Sequence, residues 1–133
     1  MRAGVGLRTG AALAAALVSM ASGAAGAAPG EQLFNDNCAA CHLRTGLGAP
    51  KAFPALAGDK VALGPPAAAA AVVLNGRGGM PAFKAQLSDA DLAEILTYVR
   101  GAWGNHAAPL TAAEMTRARG GPAAPAAQRL QAH

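Results

Sequence analysis

Residues 38–42 read CAACH: two cysteines separated by two alanines, with a histidine directly after the second cysteine. Cys38 and Cys41 are the only cysteines in this chain of 133 residues. Four kinds of site use cysteines at such a spacing: a structural disulfide, part of a zinc site, a thiol redox motif and a point of covalent haem attachment. The choice among them decides the fold, because it decides what fills the core.

Large side chains for a core are scarce in this sequence. The aromatic residues are Phe34, Phe53, Phe83, Tyr98 and Trp103. Alanine makes up much of the hydrophobic content, and an alanine side chain buries little apolar area. Small domains with thin cores usually need a disulfide, a metal or a cofactor. A disulfide between Cys38 and Cys41 would close a very short loop and would restrict the unfolded chain little. The sequence therefore predicts that a larger group completes the core.

Haem attachment accounts best for the motif. A structural zinc site needs four protein ligands, whereas Cys38, Cys41 and His42 supply three. A thioredoxin-like redox motif belongs in a βαβ pattern, and no strands are evident. A disulfide leaves His42 without a role. In C-x-x-C-H attachment both sulfurs bond to the vinyl groups of one haem, and the imidazole binds the iron from one side. We predict one covalent haem c, bound through Cys38 and Cys41, with His42 as an axial ligand.

The second axial ligand is predicted from the loop GRGGMPAF at residues 76–83. Met80 lies among glycines, which let the backbone approach a flat cofactor closely, and Pro81 restricts the loop locally. The structural alternative is a methionine that only fills a gap in the core. Other possible ligands in the chain are His106, Met115 and His133. We predict Met80 because it lies in a loop, whereas a methionine that fills the core tends to lie on a helix stripe.

Three main helices are predicted, and no stretch alternates as a β-strand would. The first spans about residues 31–40 and the second about residues 66–74. The third begins at Ser88, where Ser88-x-x-Asp91 resembles a capping box. Its apolar stripe recurs at i, i+3, i+4 and i+7 and consists of Leu92, Ile95, Leu96 and Val99. The expected fold class is therefore all-α.

The N-terminus has the pattern of a secretory signal peptide over residues 1–27. Arg2 and Arg8 precede an apolar run rich in alanine, and Ala25-Gly26-Ala27 fits the cleavage rule. The alternative is an uncleaved membrane anchor, although alanine and glycine make the run weakly apolar. Cleavage predicts export to the periplasm and no stable membrane insertion afterwards.

After the signal peptide we expect one domain at residues 28–108 and an Ala/Pro-rich tail at residues 109–133. In the tail, Thr111-x-x-Glu114 predicts the cap of a short helix, followed by a disordered end. Arg2 and Arg8 contribute two of the four net positive charges, so the exported chain is only weakly basic. Its basic residues are scattered, and nucleic acid is therefore not an expected partner.

The ordered set of motifs resembles the class I c-type cytochromes over residues 29–106. In that family a glycine and an aromatic residue precede the haem motif, as Gly30 and Phe34 do here. The family's P-x-L-x-G segment matches residues 54–58, and its helix leading into the methionine loop matches residues 67–80. The resemblance implies a cytochrome c fold, with three main helices and loops wrapped around one covalent haem.

The resemblance also implies two contacts. The carbonyl of Pro54 accepts the N–H of His42, a bond that orients the ligand and tunes the iron. The last helix crosses the first, so that Ile95 and Tyr98 contact Gly30 and Phe34. Several segments are similar to one haem domain of the cytochrome subunits of membrane-bound alcohol dehydrogenases: residues 53–58, 79–83, 86–100 and 103–105. Those subunits carry three such domains and this chain has one, which predicts a stand-alone relative that serves another dehydrogenase.

The predicted function is electron transfer in the periplasm, not catalysis. Ligation by His42 and Met80 raises the reduction potential, and a six-coordinate iron leaves no position for a substrate. The expected partners are a dehydrogenase as donor and an oxidase or another cytochrome as acceptor. Basic residues that could orient these partners, or could be ordinary solvated charges, are Arg44, Lys51, Lys60, Arg77 and Lys84. Two alternatives stay open: a gas sensor or peroxidase-like enzyme with an open distal site, and an exported structural module without haem.

Overall fold

The structure of the protein is a computed structural model that describes Met1 and residues 28–121. The described residues form α1 (Pro29–Asn37), α2 (Ala39–His42), α3 (Pro66–Asn75), α4 (Asp89–Gly101) and α5 (Ala112–Ala118). They contain no β-strand, only isolated bridges, and the predicted all-α class is confirmed. None of these helices is both long enough and apolar enough to cross a bilayer. The predicted signal peptide, apart from Met1, and the end of the tail lie outside the described residues.

The predicted first helix is divided at Cys38. The sequence predicts one helix over residues 31–40, but α1 ends at Asn37 and α2 begins at Ala39. At Cys38 the φ of −121° takes the backbone out of helical geometry. The chain still winds on, because the N–H of Cys38 donates to Phe34 O at 2.8 Å and that of His42 donates to Cys38 O at 3.0 Å. The haem motif therefore has a helical turn of its own.

The predicted starts of the next two helices are confirmed, and α3 ends at Asn75, one residue beyond the predicted limit. Pro66 is the first residue of α3, and Gly76 follows its last residue with a φ of +74°, in the left-handed region that favours glycine. Ser88 caps α4: its Oγ accepts the N–H of Asp91 at 3.1 Å, and the Asp91 carboxylate accepts the N–H of Ser88 in return. Local signals thus suffice to start both helices.

Helices α1 and α4 cross at Gly30. A Cβ atom at Gly30 would collide with the carbonyl oxygen of Glu94 and would lie 3.1 Å from Tyr98 Cβ, so the crossing requires a glycine. One turn later Phe34 is fully buried. Its ring lies 5.5 Å from that of Tyr98 and 5.2 Å from that of Trp103, centroid to centroid. The predicted contact of Gly30 and Phe34 with the last main helix is confirmed.

Helix α5 packs on the other side of α4 and belongs to the compact part of the chain. Thr111 and Glu114 form the predicted capping box. Met115 is fully buried and Leu110 is 4% exposed. They share a cluster with Leu74, Leu92 and Leu96. The expected boundary at residue 108 falls too early for this packing, because Leu110 and Met115 cover apolar surface of α3 and α4 that would otherwise face water.

Arg100 joins α4 to the long loop before α3. This arginine is 3% exposed. Its Nη1 donates to Ala62 O at 2.7 Å and to Gly64 O at 2.9 Å, and its Nε donates to Ala108 O at 2.6 Å. A buried cation must be compensated, and here carbonyl dipoles compensate it. These bonds fix one wall of the site described next.

Candidate functional site

A cavity of about 250 Å³ lies between the helices and the loops that join them. Its walls come from α1, α2, α3 and α4 and from the loops after α2 and after α3. Most of its lining is apolar, including Phe34, Leu56, Val73, Ile95, Leu96 and Val99. These side chains need a covering group, because apolar surface stabilises a fold only when it is removed from water. The few large side chains of the chain do not fill this part of the core, so another group must occupy it.

The haem motif lies in the wall of this cavity. Cys38, Cys41 and His42 all line it, and the two cysteines are not joined in a disulfide. Burial, with a smaller contribution from the charge of Cys41, raises the pKa of the Cys38 thiol from 9.0 to about 11. Redox exchange and metal binding both use the thiolate. Because burial disfavours the thiolate, it makes Cys38 less suited to those two chemistries than an ordinary exposed thiol.

His42 is oriented by the loop that follows the motif. Its Nδ1 lies 3.0 Å from the carbonyl oxygen of Pro54, and the side chain is buried. Since a carbonyl only accepts, Nδ1 carries the proton and Nε2 keeps the lone pair that binds a metal. Gly48 makes this approach possible, because a Cβ atom there would lie 2.5 Å from Pro54 O. The N–H of Gly48 also donates to His42 O at 3.0 Å.

Met80 lines the same cavity from the loop after α3. The N–H of Met80 donates to Arg77 O at 3.0 Å, and that of Arg77 donates to Met80 O at 3.2 Å, which closes a tight turn. Gly78 lies in this turn with a φ of +58°. A Cβ atom at Gly76 would lie 2.5 Å from Met80 O. The glycines therefore let the loop fold closely enough for Met80 to line the cavity.

The other possible ligands among the described residues lie elsewhere. Met115 is buried in the cluster between α3, α4 and α5. His106 is exposed and does not line the cavity. His133 lies outside the described residues. Within residues 28–121, no group of three or more His, Cys, Asp or Glu side chains could hold a metal ion by itself.

Three polar side chains also line the cavity: Asn37, Asp59 and Arg77. The Asp59 carboxylate accepts the N–H groups of Val61 and Ala62 at 3.0 and 2.7 Å. Arg77 is exposed, and its guanidinium makes no side-chain hydrogen bond within residues 28–121. A guanidinium in this position is suited to the carboxylate of a group bound in the cavity.

Sequence reasoning missed the supporting role of Asn105 and Trp103. Asn105 is 3% exposed. Its Oδ1 accepts the N–H of Gly58 at 2.8 Å, and its Nδ2 donates to Leu56 O at 3.1 Å and to Val99 O at 2.7 Å. Trp103 Nε1 donates to Arg44 O at 2.8 Å. The only signal in the sequence was the similarity of residues 103–105 to one cytochrome domain, which does not reveal these bonds.

We expect Asn105→Ala to lower the free energy of unfolding by about 2–3 kcal/mol, because the N–H of Gly58 and the carbonyls of Leu56 and Val99 each lose a hydrogen-bond partner, the last of them in a buried place. Urea unfolding of the haem-loaded protein measures this change. Asn75→Ala is the control: Asn75 is exposed and makes one bond, to Ala71 O within its own helix. Its expected effect is within about 0.5 kcal/mol. Equal losses in both variants would contradict the role given to Asn105.

A helical domain that surrounds an apolar cavity, with C-x-x-C-H in its wall, defines a class I c-type cytochrome with one haem. The chain belongs to the family described as cytochrome C oxidase, cbb3-type, subunit III, whose model matches residues 25–99. The predicted cytochrome c fold and the predicted cofactor, one covalent haem c with its iron, are confirmed by this membership. The residues fit this group: two free thiols, an oriented imidazole and an apolar enclosure face one cavity.

Individual relatives agree with the family. The chain is 34% identical over 90 residues to the cytochrome c subunit of quinone alcohol dehydrogenase from Gluconobacter oxydans. This match covers 59% of this chain and 19% of that subunit. The chain thus spans about a fifth of that relative. It is 40% identical over 77 residues to cytochrome c6 from Leptolyngbya boryana, covering 56% of this chain and 91% of that protein. The crystal structure of cytochrome c6 from the diatom Phaeodactylum tricornutum has 34% identity and a TM-score of 0.48, covering 56% of this chain and 91% of that one.

These relatives are cytochromes or cytochrome subunits of dehydrogenases. The domain therefore transfers electrons through its c-type haem. The predicted class, an electron carrier or electron-transfer subunit and not an enzyme, is confirmed. The predicted similarity to a haem domain of an alcohol dehydrogenase cytochrome subunit is also confirmed.

Proposed function

We propose that this chain carries electrons in the periplasm, with Cys38 and Cys41 bonded to one haem and with His42 and Met80 as the two axial ligands of its iron. One observation carries the proposal: these four side chains line a single apolar cavity of about 250 Å³. When bound, the haem iron supplies one-electron chemistry by alternating between the ferric and ferrous states.

Each side chain has a distinct task. Cys38 and Cys41 hold the group covalently, which a small domain needs because it cannot enclose a large ligand fully. The carbonyl of Pro54, 3.0 Å from Nδ1 of His42, fixes the ring and increases its basicity. The thioether of Met80 favours the reduced state over the oxidised one and so raises the reduction potential. With both axial positions filled by side chains, no position is left for a substrate.

The loop after the haem motif supplies a surface for partners. Leu43, Leu47 and Phe53 are exposed by 43%, 63% and 42%. Phe53 also lines the cavity, so it is reached both from the haem side and from solvent. The cations Arg44 and Lys51 lie in the same loop. Exposed apolar side chains with cations in the same loop suit brief contacts with partners whose docking surfaces are acidic, over a total buried area below about 1,200 Å².

The partners we propose are a dehydrogenase as donor and an oxidase or another cytochrome as acceptor. A relative of this chain is the cytochrome subunit of a quinone alcohol dehydrogenase, which supports a dehydrogenase on the donor side. The signal-peptide pattern at residues 1–27 supports export. Haem attachment follows export in bacteria, so the location and the cofactor agree.

Absorption spectra of the exported protein test the ligand assignment. We record them for the oxidised form, the reduced form and the reduced form with carbon monoxide. We expect a low-spin c-type spectrum that carbon monoxide does not change, because Met80 occupies the distal position. A clear shift with carbon monoxide would instead indicate an open site, as in a gas sensor or a peroxidase-like enzyme. A colourless protein would contradict the assignment of haem as the cofactor.

A further inference from the structure

Arg119 binds the segment that connects the Met80 loop to α4. It follows α5 and lies beyond residues 25–99, the region that the family model matches. Its Nη1 donates to Lys84 O, its Nη2 donates to Leu87 O at 3.1 Å, and its Nε donates to Asp89 Oδ1 at 2.7 Å. The Arg119 side chain therefore forms hydrogen bonds with three residues of the segment 84–89.

Residues 84–89 are coupled closely to Met80. Two residues separate Met80 from Phe83, and the N–H of Phe83 donates to Val73 O in α3 at 2.9 Å. The N–H groups of Gln86 and Leu87 both donate to Phe83 O at 3.0 Å. A short segment with backbone hydrogen bonds at Phe83 therefore connects Met80 to the residues that Arg119 binds.

The strap, defined here as residues 110–119, has its own anchors. Met115 is fully buried and Leu110 nearly so. Thr116 Oγ1 donates to Asp89 Oδ2 at 2.7 Å. The hydrogen bonds from Thr116 and Arg119 hold the pKa of Asp89 below its usual value. The strap therefore provides a fixed base from which Arg119 reaches the loop.

An exposed ion pair alone contributes little. The side chains of Arg119 and Asp89 are 31% and 23% exposed, and pairs of this kind are weak in water. The guanidinium fork differs because it binds two backbone carbonyls as well, and those bonds restrict the path of the chain. A restricted backbone next to the Met80 loop matters because a thioether is a soft ligand and binds hard ferric iron weakly. A loose loop would let Met80 leave the iron more often.

We propose that the strap holds the Met80 loop closed and that Arg119 is a positioning residue for the axial methionine. The inference rests on the proposed function, in which Met80 is that ligand. The strap thereby keeps small molecules off the iron and keeps the domain an electron carrier. The strap lies after residues 25–99, the region that the family model matches.

Binding of imidazole to the oxidised, haem-loaded protein tests the inference. Its apparent dissociation constant varies inversely with the fraction of molecules in which Met80 has left the iron. We expect Arg119→Ala to tighten imidazole binding about tenfold, the change that the loss of one or two net hydrogen bonds produces. Arg119→Lys keeps the charge but loses the planar fork, so we expect tighter binding there as well.

Arg117→Ala is the matched control. Arg117 is an exposed arginine in the last turn of α5, two residues before Arg119, and its side chain makes no hydrogen bond within residues 28–121. The Arg117→Ala variant removes the same charge as Arg119→Ala and should leave imidazole binding unchanged. In a Met80→Ala background, Arg119→Ala should have no further effect, because the ligand through which it acts is gone. An effect that persists in that background would overturn the proposal.

Two outcomes separate this inference from the proposed function. If the wild-type protein resists imidazole and both Arg119 variants resist it equally, the strap does not position Met80, and the ligand assignment stands. If the wild-type protein binds imidazole as tightly as Met80→Ala does, Met80 is not the axial ligand, and both proposals are wrong.

Discussion

Replacing Cys38 and Cys41 together by alanine is expected to remove covalent haem completely and, as a consequence, most of the stability of the domain. The cavity that the haem covers measures about 250 Å³ and is lined mainly by apolar side chains. Left unfilled, a cavity of that size costs roughly 6 kcal/mol at ~24 cal/mol per Å³. Small domains have about 5–15 kcal/mol of stability in total, so the loss is comparable with the whole.

The remaining core is too thin to compensate for that loss. The largest fully buried side chains are Phe34, Leu74, Leu92 and Met115. Haem staining after denaturing electrophoresis measures attachment, and circular dichroism during heating measures folding. Cys41→Ala alone is the control, because Cys38 can still form one thioether bond. If the double variant kept its haem through denaturing electrophoresis, the attachment site would have to lie elsewhere.

Met80→Ala has a different expected result: the haem stays attached, but one axial position opens. We expect nearly complete binding of carbon monoxide by the reduced variant, where the wild-type protein binds essentially none. We also expect a lower reduction potential, because the thioether that favours ferrous iron is gone. Visible spectra under carbon monoxide and a redox titration measure these two changes.

Met115→Leu is the control for Met80→Ala. Met115 lies in the cluster between α3, α4 and α5 and does not line the cavity. A swap of methionine for leucine nearly conserves volume and costs less than about 1.5 kcal/mol. Its spectrum and its potential should match those of the wild-type protein. If Met80→Ala matched them too, the assignment of Met80 would be wrong.

The two replacements separate two properties of the site. In the function we propose, Cys38 and Cys41 hold the group that covers the apolar walls of the cavity and so completes the core. Met80, as the proposed axial ligand, determines whether the iron exchanges only electrons or also binds small molecules. A change at Met80 should therefore alter function strongly while the fold persists.

Much of the helical structure could be predicted from the sequence because its signals are local. The capping boxes at Ser88 and Thr111 join residues three positions apart, and both are present. Pro66 begins α3 and Gly76 ends it through backbone preferences of single residues. The break at Cys38 was missed because no proline or glycine marks it.

The chemistry of the site could also be predicted from the sequence, because C-x-x-C-H places two thiols and an imidazole within five consecutive residues. The type of cofactor and the helices near the motif could thus be predicted from the sequence and are confirmed, whereas attachment at Cys38 and Cys41 stays a prediction. Spacing along the chain is enough for these features, because each depends on neighbours within one or two turns.

Which distant groups meet at the cavity could not be predicted from the sequence, because it depends on how the whole chain folds. Met80 lines it and Met115 does not, although both are methionines in the same chain. Asn105 bonds to Gly58 across 47 residues, and Trp103 bonds to Arg44 across 59. The packing of α5 and the reach of Arg119 to Lys84 are of the same kind. Such contacts depend on the path of the whole chain and on which buried polar groups still lack partners, and no local pattern encodes either.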